Sequence, residues 1–418
     1  MTCGCESGAV TFVSDDLVAE VETDFGEPRK KVRGFVWLGA ATAALYLGLG
    51  ITIPTLPRFA ERSFGASGAD LGLLAVAYTV GALACRPTVA WLAQRVRQSA
   101  TGVLGLIVVA ASLVAHVGAR SLVLLAMARC LFAVGETLAF LGITNLVTTH
   151  AVEGHQTEAA SHNSAAVFAG IGIGPLIGDR LSRSGHFGVA FLLAGACAIV
   201  AVVCVRGARQ HVTDPPLSLP HAVDATVPWL RRLGLHRGGV RPGLVLSCIV
   251  IAQGTWSLFL TPYADSVGVG EVGALFFVSS IVILVLRIVA AKVPARVGLG
   301  RSAAFSVVGV GAGLVALGVV QGRVGLWLSV ALVSLGMAQM FPALIGITLG
   351  RVSVADRPLA LSTFVMFFEV GGALGGASGW LVDHHGYSLT FIVAGLVGLG
   401  GLAFLGSRAN ETSGPMAG

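Results

Sequence analysis

Gly170-Ile171-Gly172-Ile173-Gly174-Pro175-Leu176-Ile177-Gly178 has a counterpart in Gly371-Gly372-Ala373-Leu374-Gly375-Gly376-Ala377-Ser378-Gly379, with Gly170, Gly174 and Gly178 each 201 residues before Gly371, Gly375 and Gly379. The same offset joins Gly72 to Gly273, Arg86 to Arg287, Arg95 to Arg296, Gly135 to Gly336 and Ser161 to Ser362. One half of the chain is therefore a diverged copy of the other. Glycine at a spacing of four leaves bare backbone on one helix face, against which a neighbouring helix can slide. Pro175 removes a helical hydrogen bond and bends its helix. An internal repeat in an apolar chain points to carriers whose two halves rock about a central site.

Composition then fixes the solvent. With 55% hydrophobic and 11% charged residues and a mean hydropathy of +0.84, the chain has too little polar surface for water and must face lipid. A helix of about 20 apolar residues crosses a hydrocarbon core of roughly 30 Å. Twelve such stretches are read, six per half, near 35–57, 70–93, 100–118, 121–147, 161–182, 188–205, 243–263, 272–294, 302–321, 325–349, 359–382 and 387–406. The expected fold class is all-α integral membrane, with twelve transmembrane helices as two pseudo-symmetric six-helix bundles. The expected organisation is a tail over 1–34, a lobe over 35–206, a linker over 207–241, a lobe over 242–406 and a tail over 407–418. The linker reading rests on Pro215, Pro216 and Pro220 at the junction of the two copies.

Basic residues set the orientation. With the N-terminus inside, most of the 27 lysines and arginines, among them Arg29, Lys30, Lys31, Arg33, Arg95, Arg231, Arg232, Arg296 and Arg408, fall on the cytoplasmic side. Arg58, Arg62, Arg120, Arg180, Arg183 and Arg323 fall outside. The positive-inside rule then places both termini in the cytoplasm of a cell, plasma or inner, membrane. The net charge of +6 reads as topology and calls for anionic lipid headgroups, with no nucleic acid needed. No apolar signal core precedes the first span, which is expected to act as an uncleaved insertion signal. Cys3 and Cys5 form a lone Cys-x-Cys with no further ligands to complete a metal site, so no metal is expected. No G-x-x-x-x-G-K-[ST] phosphate loop is present, which leaves gradients rather than nucleotide hydrolysis as the driving force.

The motifs carry a family resemblance over roughly 35–406. Gly170 through Gly178 resembles the G-x-x-x-G-P-x-x-G-G motif of antiporters of the major facilitator superfamily, with Asp179 in place of the last glycine. Ala90-Trp91-Leu92-Ala93-Gln94-Arg95-Val96-Arg97 resembles the loop motif G-x-x-x-D-R-x-G in Arg95 alone, and the second copy keeps Arg296 and Gly298 with Ala295 at the acid's place. Arg86-Pro87 after Tyr78-Thr79-Val80-Gly81-Ala82-Leu83 resembles the drug- and sugar-efflux branches, as do Arg129 with Gly135 and the adjoining Glu136. The resemblance implies the twelve-helix fold of that superfamily. It implies a cavity lined by spans one, four, seven and ten, with Tyr46, Glu136, Gln253, Trp256 and Gln339 near substrate. It also implies that the Arg95 and Arg296 loops latch the lobes, a role put in question here by the missing acids.

Charge that survives inside a bilayer costs at least ~2.5–3.5 kcal/mol per group and faces a cavity or a partner. Glu136, two helical turns from Arg129 on one face, and Glu369, just before Gly371, are the candidates for proton coupling, together with Arg129 itself. Their places in the other half are held by Met337 and Phe168, so these acids lie outside the repeat. Where water is scarce the charged form of a carboxyl is disfavoured, which suits proton loading and unloading. Arg86 and Arg287, near the cytoplasmic ends of their spans, are read as snorkelling anchors, and Asp179 and His384-His385 as solvated rim residues. The expectation is a proton-coupled exporter of a small amphipathic compound, such as a drug or secondary metabolite, working by alternating access as a monomer, without cofactor and without enzymatic activity. A proton symporter importing a sugar or organic ion, and a transport-inactive sensor, are the alternatives.

Overall fold

The computed structural model describes residues 15–93, 95–151, 156–212, 214–215, 236–290, 293–353 and 356–405, and only the backbone at 15–31, 86–93, 156–158, 160–161, 295 and 358. The described residues form helices and no strand. In chain order these are α1 (Asp15–Phe64), α2 (Gly68–Ala93), α3 (Gln98–Val117), α4 (Leu122–His150), α5 (Gln156–Arg183), α6 (Phe187–Ala208), α7 (Arg237–Ser266), α8 (Val272–Val289), the short α9 (Val293–Val297), α10 (Leu299–Val319), α11 (Gly322–Leu349), α12 (Arg357–Gly400) and the short α13 (Leu402–Leu405).

Ten segments among the described residues are long and apolar enough to cross a membrane. Helix α5 is not among them, and Leu359–Leu405 is a single 47-residue segment. Its backbone turns at Gly386, where φ is 77° and the path is non-helical. Gly185, 201 residues earlier, has φ 76° between α5 and α6. A side chain is strained in that region, so glycine permits the reversal in both places. Helical backbone begins at Asp15, inside the segment read as a tail, because Glu20, Glu22, Lys30 and Lys31 are helix formers. Cys3, Cys5, most of the linker (216–235) and the tail 407–418 lie outside the described residues.

Helices α1 to α6 pack as α1 on α5 and α6, α3 on α4 and α6, and α2 on α4. Helices α7 to α12 pack as α7 on α12, α10 on α11 and α12, and α8 on α11. Two seams join the halves, α2 against α12 and α5 against α8. Small residues make the close pairs: a Cβ at Gly105 would stand 2.3 Å from the Ala139 amide nitrogen, and one at Gly336 2.7 Å from the Ser306 carbonyl. Large apolar side chains cover the lateral surface, including Val123 at 70% and Val289 at 78% exposure, as a lipid-facing wall demands. The bundle has two ends. The linker end holds Gln98, His150 and Arg237, and the far end holds Phe64, Gly68, Arg183, Ser266 and Gly386.

Candidate functional site

Helix α4 sets the site. Its start is capped by Ser121, whose hydroxyl accepts from the Leu124 amide, and its register puts Arg129 and Glu136 on one face. Gly81 of α2 lets the two helices touch, since a Cβ there would lie 2.2 Å from the Cys130 carbonyl oxygen. That contact brings Tyr78 of α2 to Glu136. The Tyr78 hydroxyl donates to Oε2 of Glu136 at 2.8 Å, and the Tyr46 hydroxyl of α1 donates to Oε1 at 3.2 Å. A hydrogen bond to a charged acceptor contributes about 1.5–3 kcal/mol, so two phenols offset much of the cost of placing this carboxylate among rings.

Arg129 reaches this cluster through ring faces. Its guanidinium lies 5.0 Å from the Tyr78 ring centroid and 5.1 Å from that of Phe132. One buried nitrogen, Nη1, has no hydrogen-bond partner among the described residues. Phe140 closes the box edge-on to Tyr46 at 6.4 Å. A cation over a desolvated ring contributes up to about 2 kcal/mol, which holds Arg129 near Glu136 without an ion pair that would fix the acid's charge.

The other sequence candidates fall at varying distance from this box. Glu369 of α12 is half-buried, one helical turn before Gly372, which faces Thr79 of α2. Gln253 donates to Ser257 at 2.9 Å. Trp256 is buried, its indole N–H donating to Ser329 at 3.2 Å and its ring set against Phe276. Gln339 is buried and donates to the Ala290 carbonyl at 3.1 Å. Arg287 places its guanidinium 4.7 Å from the Phe168 centroid across the α5–α8 seam, with Nε buried and without a hydrogen-bond partner. That position departs from the anchor reading, because the guanidinium stacks on a ring of the opposite half. The Arg86 side chain lies outside the described residues, and Arg95 and Arg296 are exposed at the linker end.

Asp179 corrects the rim reading. It is 8% exposed and takes Nη1 of Arg58 at 2.7 Å and Arg183 at 3.2 Å. Arg58 is 1% exposed and also clasps Asp265 of α7 at 2.6 and 2.8 Å, so one guanidinium spans both halves. Nearby, Asp383 of α12 accepts the amides of Gly68 and Ala69 at the start of α2, at 2.7 and 2.8 Å. The glycine ladders also divide. Gly170, Gly174 and Gly178 seat against Ala43, Leu47, Gly50 and Ile51 of α1, and Gly371 and Gly375 against α7, all within a half. Pro175 sits inside α5 beside Gly50. The seam between halves is lined by Gly72, Gly376 and Gly379.

Tyr78, Arg58, Asp265 and Asp383 escaped the sequence reading. The asymmetry that marks Glu136 and Glu369 was available for the far-end cluster too, since Arg58, Asp179 and Asp265 map by the 201 offset onto Phe259, Trp380 and Phe64. Tyr78 carried a weaker signal, a phenol opposite Ser279 of the second copy.

A family model described as Major Facilitator Superfamily matches residues 38–348 and 244–415. The chain belongs to this superfamily. It is a multi-pass membrane transporter. Quinolone resistance protein NorA of Staphylococcus aureus is 26% identical over 174 residues, 41% of this chain and 44% of that protein, so the match spans under half of the relative's length. An uncharacterised MFS-type transporter of Burkholderia pseudomallei is 25% identical over 386 residues, 87% of this chain and 88% of that one. A solved POT family transporter, in complex with a thioalcohol-conjugated peptide, superposes with a TM-score of 0.74 at 14% identity, covering 89% of this superfamily member and 95% of that chain. At that identity the likeness is one of fold.

Proposed function

We propose that this transporter is a proton-coupled exporter of a small amphipathic compound, working by alternating access between two pseudo-symmetric six-helix lobes of twelve spans in all. The reading places both termini in the cytoplasm of the cell membrane, takes the proton gradient as the only driving force, and treats one chain as the working unit. The observation that carries it is Glu136, an acid among aromatic rings, held by two phenols and lacking, among the described residues, a guanidinium at ion-pair distance. Such an acid takes up and releases a proton without first breaking a salt bridge. Export is favoured by the partial likeness to a protein named for quinolone resistance. The seams and the Arg58 cluster tie the two halves at the far end, and the reading has cargo enter from the linker end.

Inverted vesicles with an acid interior test this reading. Export by antiport predicts that amphipathic compounds drive protons out of wild-type vesicles and that Glu136→Gln stops it. Proton uptake coupled in the same direction as cargo would instead mark a symporter.

A further inference from the structure

Tyr78 stands on the helix that touches both Glu136 and the opposite half. Its hydroxyl donates to Glu136 of α4, and its ring lies under Arg129 of α4. Tyr46 of α1 shares Glu136 but sits on the first half alone. Beside Tyr78, Thr79 approaches Gly372, and further along the same seam Gly72 lies against Gly376 and Gly68 against Gly379. Helix α2 is thus the element through which the proton-loading box touches the other half.

We propose that Tyr78 is a positioning residue that carries the protonation state of Glu136 to the α2–α12 seam, an inference that rests on the proton-coupled reading above. An ionised Glu136 only accepts, and can hold both phenols through charge-assisted bonds. When it gains a proton, one of its oxygens bears the new O–H and the bond from Tyr78 falls to about half its strength, the ratio of neutral to charge-assisted hydrogen bonds. The Tyr78 O–H itself is not broken. The tether of α2 to α4 then weakens, so loading Glu136 frees α2 to shift along α12 and unloading it draws α2 back. The groups that set this balance are Glu136 and Arg129 on α4, Tyr46 on α1 and Glu369 on α12.

The test uses the full-length transporter in liposomes, with spin labels at the exposed Leu73 of α2 and Leu374 of α12, and pH as the only variable. Wild type is expected to change its label distance with pH, and Glu136→Gln to hold one distance throughout. Tyr78→Phe keeps the ring over Arg129 and removes the hydroxyl, so it is expected to flatten the pH response while staying monodisperse. Tyr46→Phe is expected to keep the response. Compound-driven proton release should fall at least about tenfold in Tyr78→Phe, the scale of one charge-assisted hydrogen bond. If Tyr78→Phe responds to pH as wild type does while Glu136→Gln does not, Tyr78 has no such role and the proton-coupled reading stands. If wild type itself shows neither pH response nor proton release, both ideas fall together.

Discussion

Arg58 and Asp265 are 207 residues apart in sequence and are joined by two hydrogen bonds, of 2.6 and 2.8 Å, across the far end of the two halves. A planar guanidinium matches a carboxylate in this fork, and the geometry is lost if the halves part. Asp179, by contrast, binds Arg58 within its own half and is the more enclosed carboxylate, 11% exposed at the side chain against 33% for Asp265. Removing one partner of a buried pair costs about 3–5 kcal/mol, and less where water can reach. Asp179→Asn is therefore expected to lower the melting midpoint of the purified protein more than Asp265→Asn. Asp265→Asn is expected instead to widen label distances across the far end. An unchanged distance would remove the latch from the account.

Much of this architecture could be read from residues alone, because lipid as a solvent forces long apolar runs and the 201-residue offset survives in glycines with a backbone duty. Gly185 and Gly386 show it: both turn the chain with a positive φ. Charged groups in apolar surroundings were equally visible, so Glu136 and Glu369 stood out. Tyr78 did not, because a phenol is at home in a membrane helix and nothing in its spacing names the carboxylate it meets. Arg58 was counted in an outer segment and Asp179 on the rim because each lies near a helix end. Position along a helix says how far a residue is from water, and not whether Asp265 of the other half covers it. The glycine ladders were legible as close packing, but which helix they meet is settled by tertiary contact.

The α2–α12 seam gives a prediction about closure. A Cβ at Gly72 would fall 2.1 Å from the Gly376 carbonyl oxygen, and one at Gly376 2.7 Å from that of Gly72. Both contacts are with backbone and cannot yield without separating the helices. Gly72→Ala and Gly376→Ala should fold yet fail to close the far end, cutting transport sharply. Gly39→Ala, with nothing within 4 Å, is the matched control and should transport normally. Equal transport by all three in a vesicle assay would mean that the seam does not need this approach.

Asp383 caps a helix of the opposite half, taking the Gly68 and Ala69 amides that α2 cannot satisfy internally. A lost N-cap costs about 1 kcal/mol. In this position the loss falls on the closed state alone, since the cap parts from α2 when the far end opens. Asp383→Ala should shift the resting population toward far-end opening by roughly fivefold, for about 1 kcal/mol. Reagent access to a cysteine introduced at Thr79, buried against Gly372 in the same seam, reads this, and access equal to that with Asp383 intact would count against an inter-half cap.

Arg129 supplies the sharpest test of the box, because its contacts are with ring faces at 5.0 and 5.1 Å. A guanidinium is flat, weakly hydrated and stacks on aromatic faces, whereas an ammonium is a compact, strongly hydrated point charge. Arg129→Lys keeps the charge and loses the stack. If Arg129 serves only to place positive charge near Glu136, lysine should retain compound-driven proton release close to wild type. If its part is to hold the Tyr78 ring so that the hydroxyl meets Glu136 at 2.8 Å, lysine should fail nearly as badly as Arg129→Ala. The geometry favours the second outcome, since neither ring contact supplies a hydrogen-bond acceptor for an ammonium and Nη1 already lacks one. Measuring proton release from the two variants side by side, at matched protein amounts, separates charge from stacking.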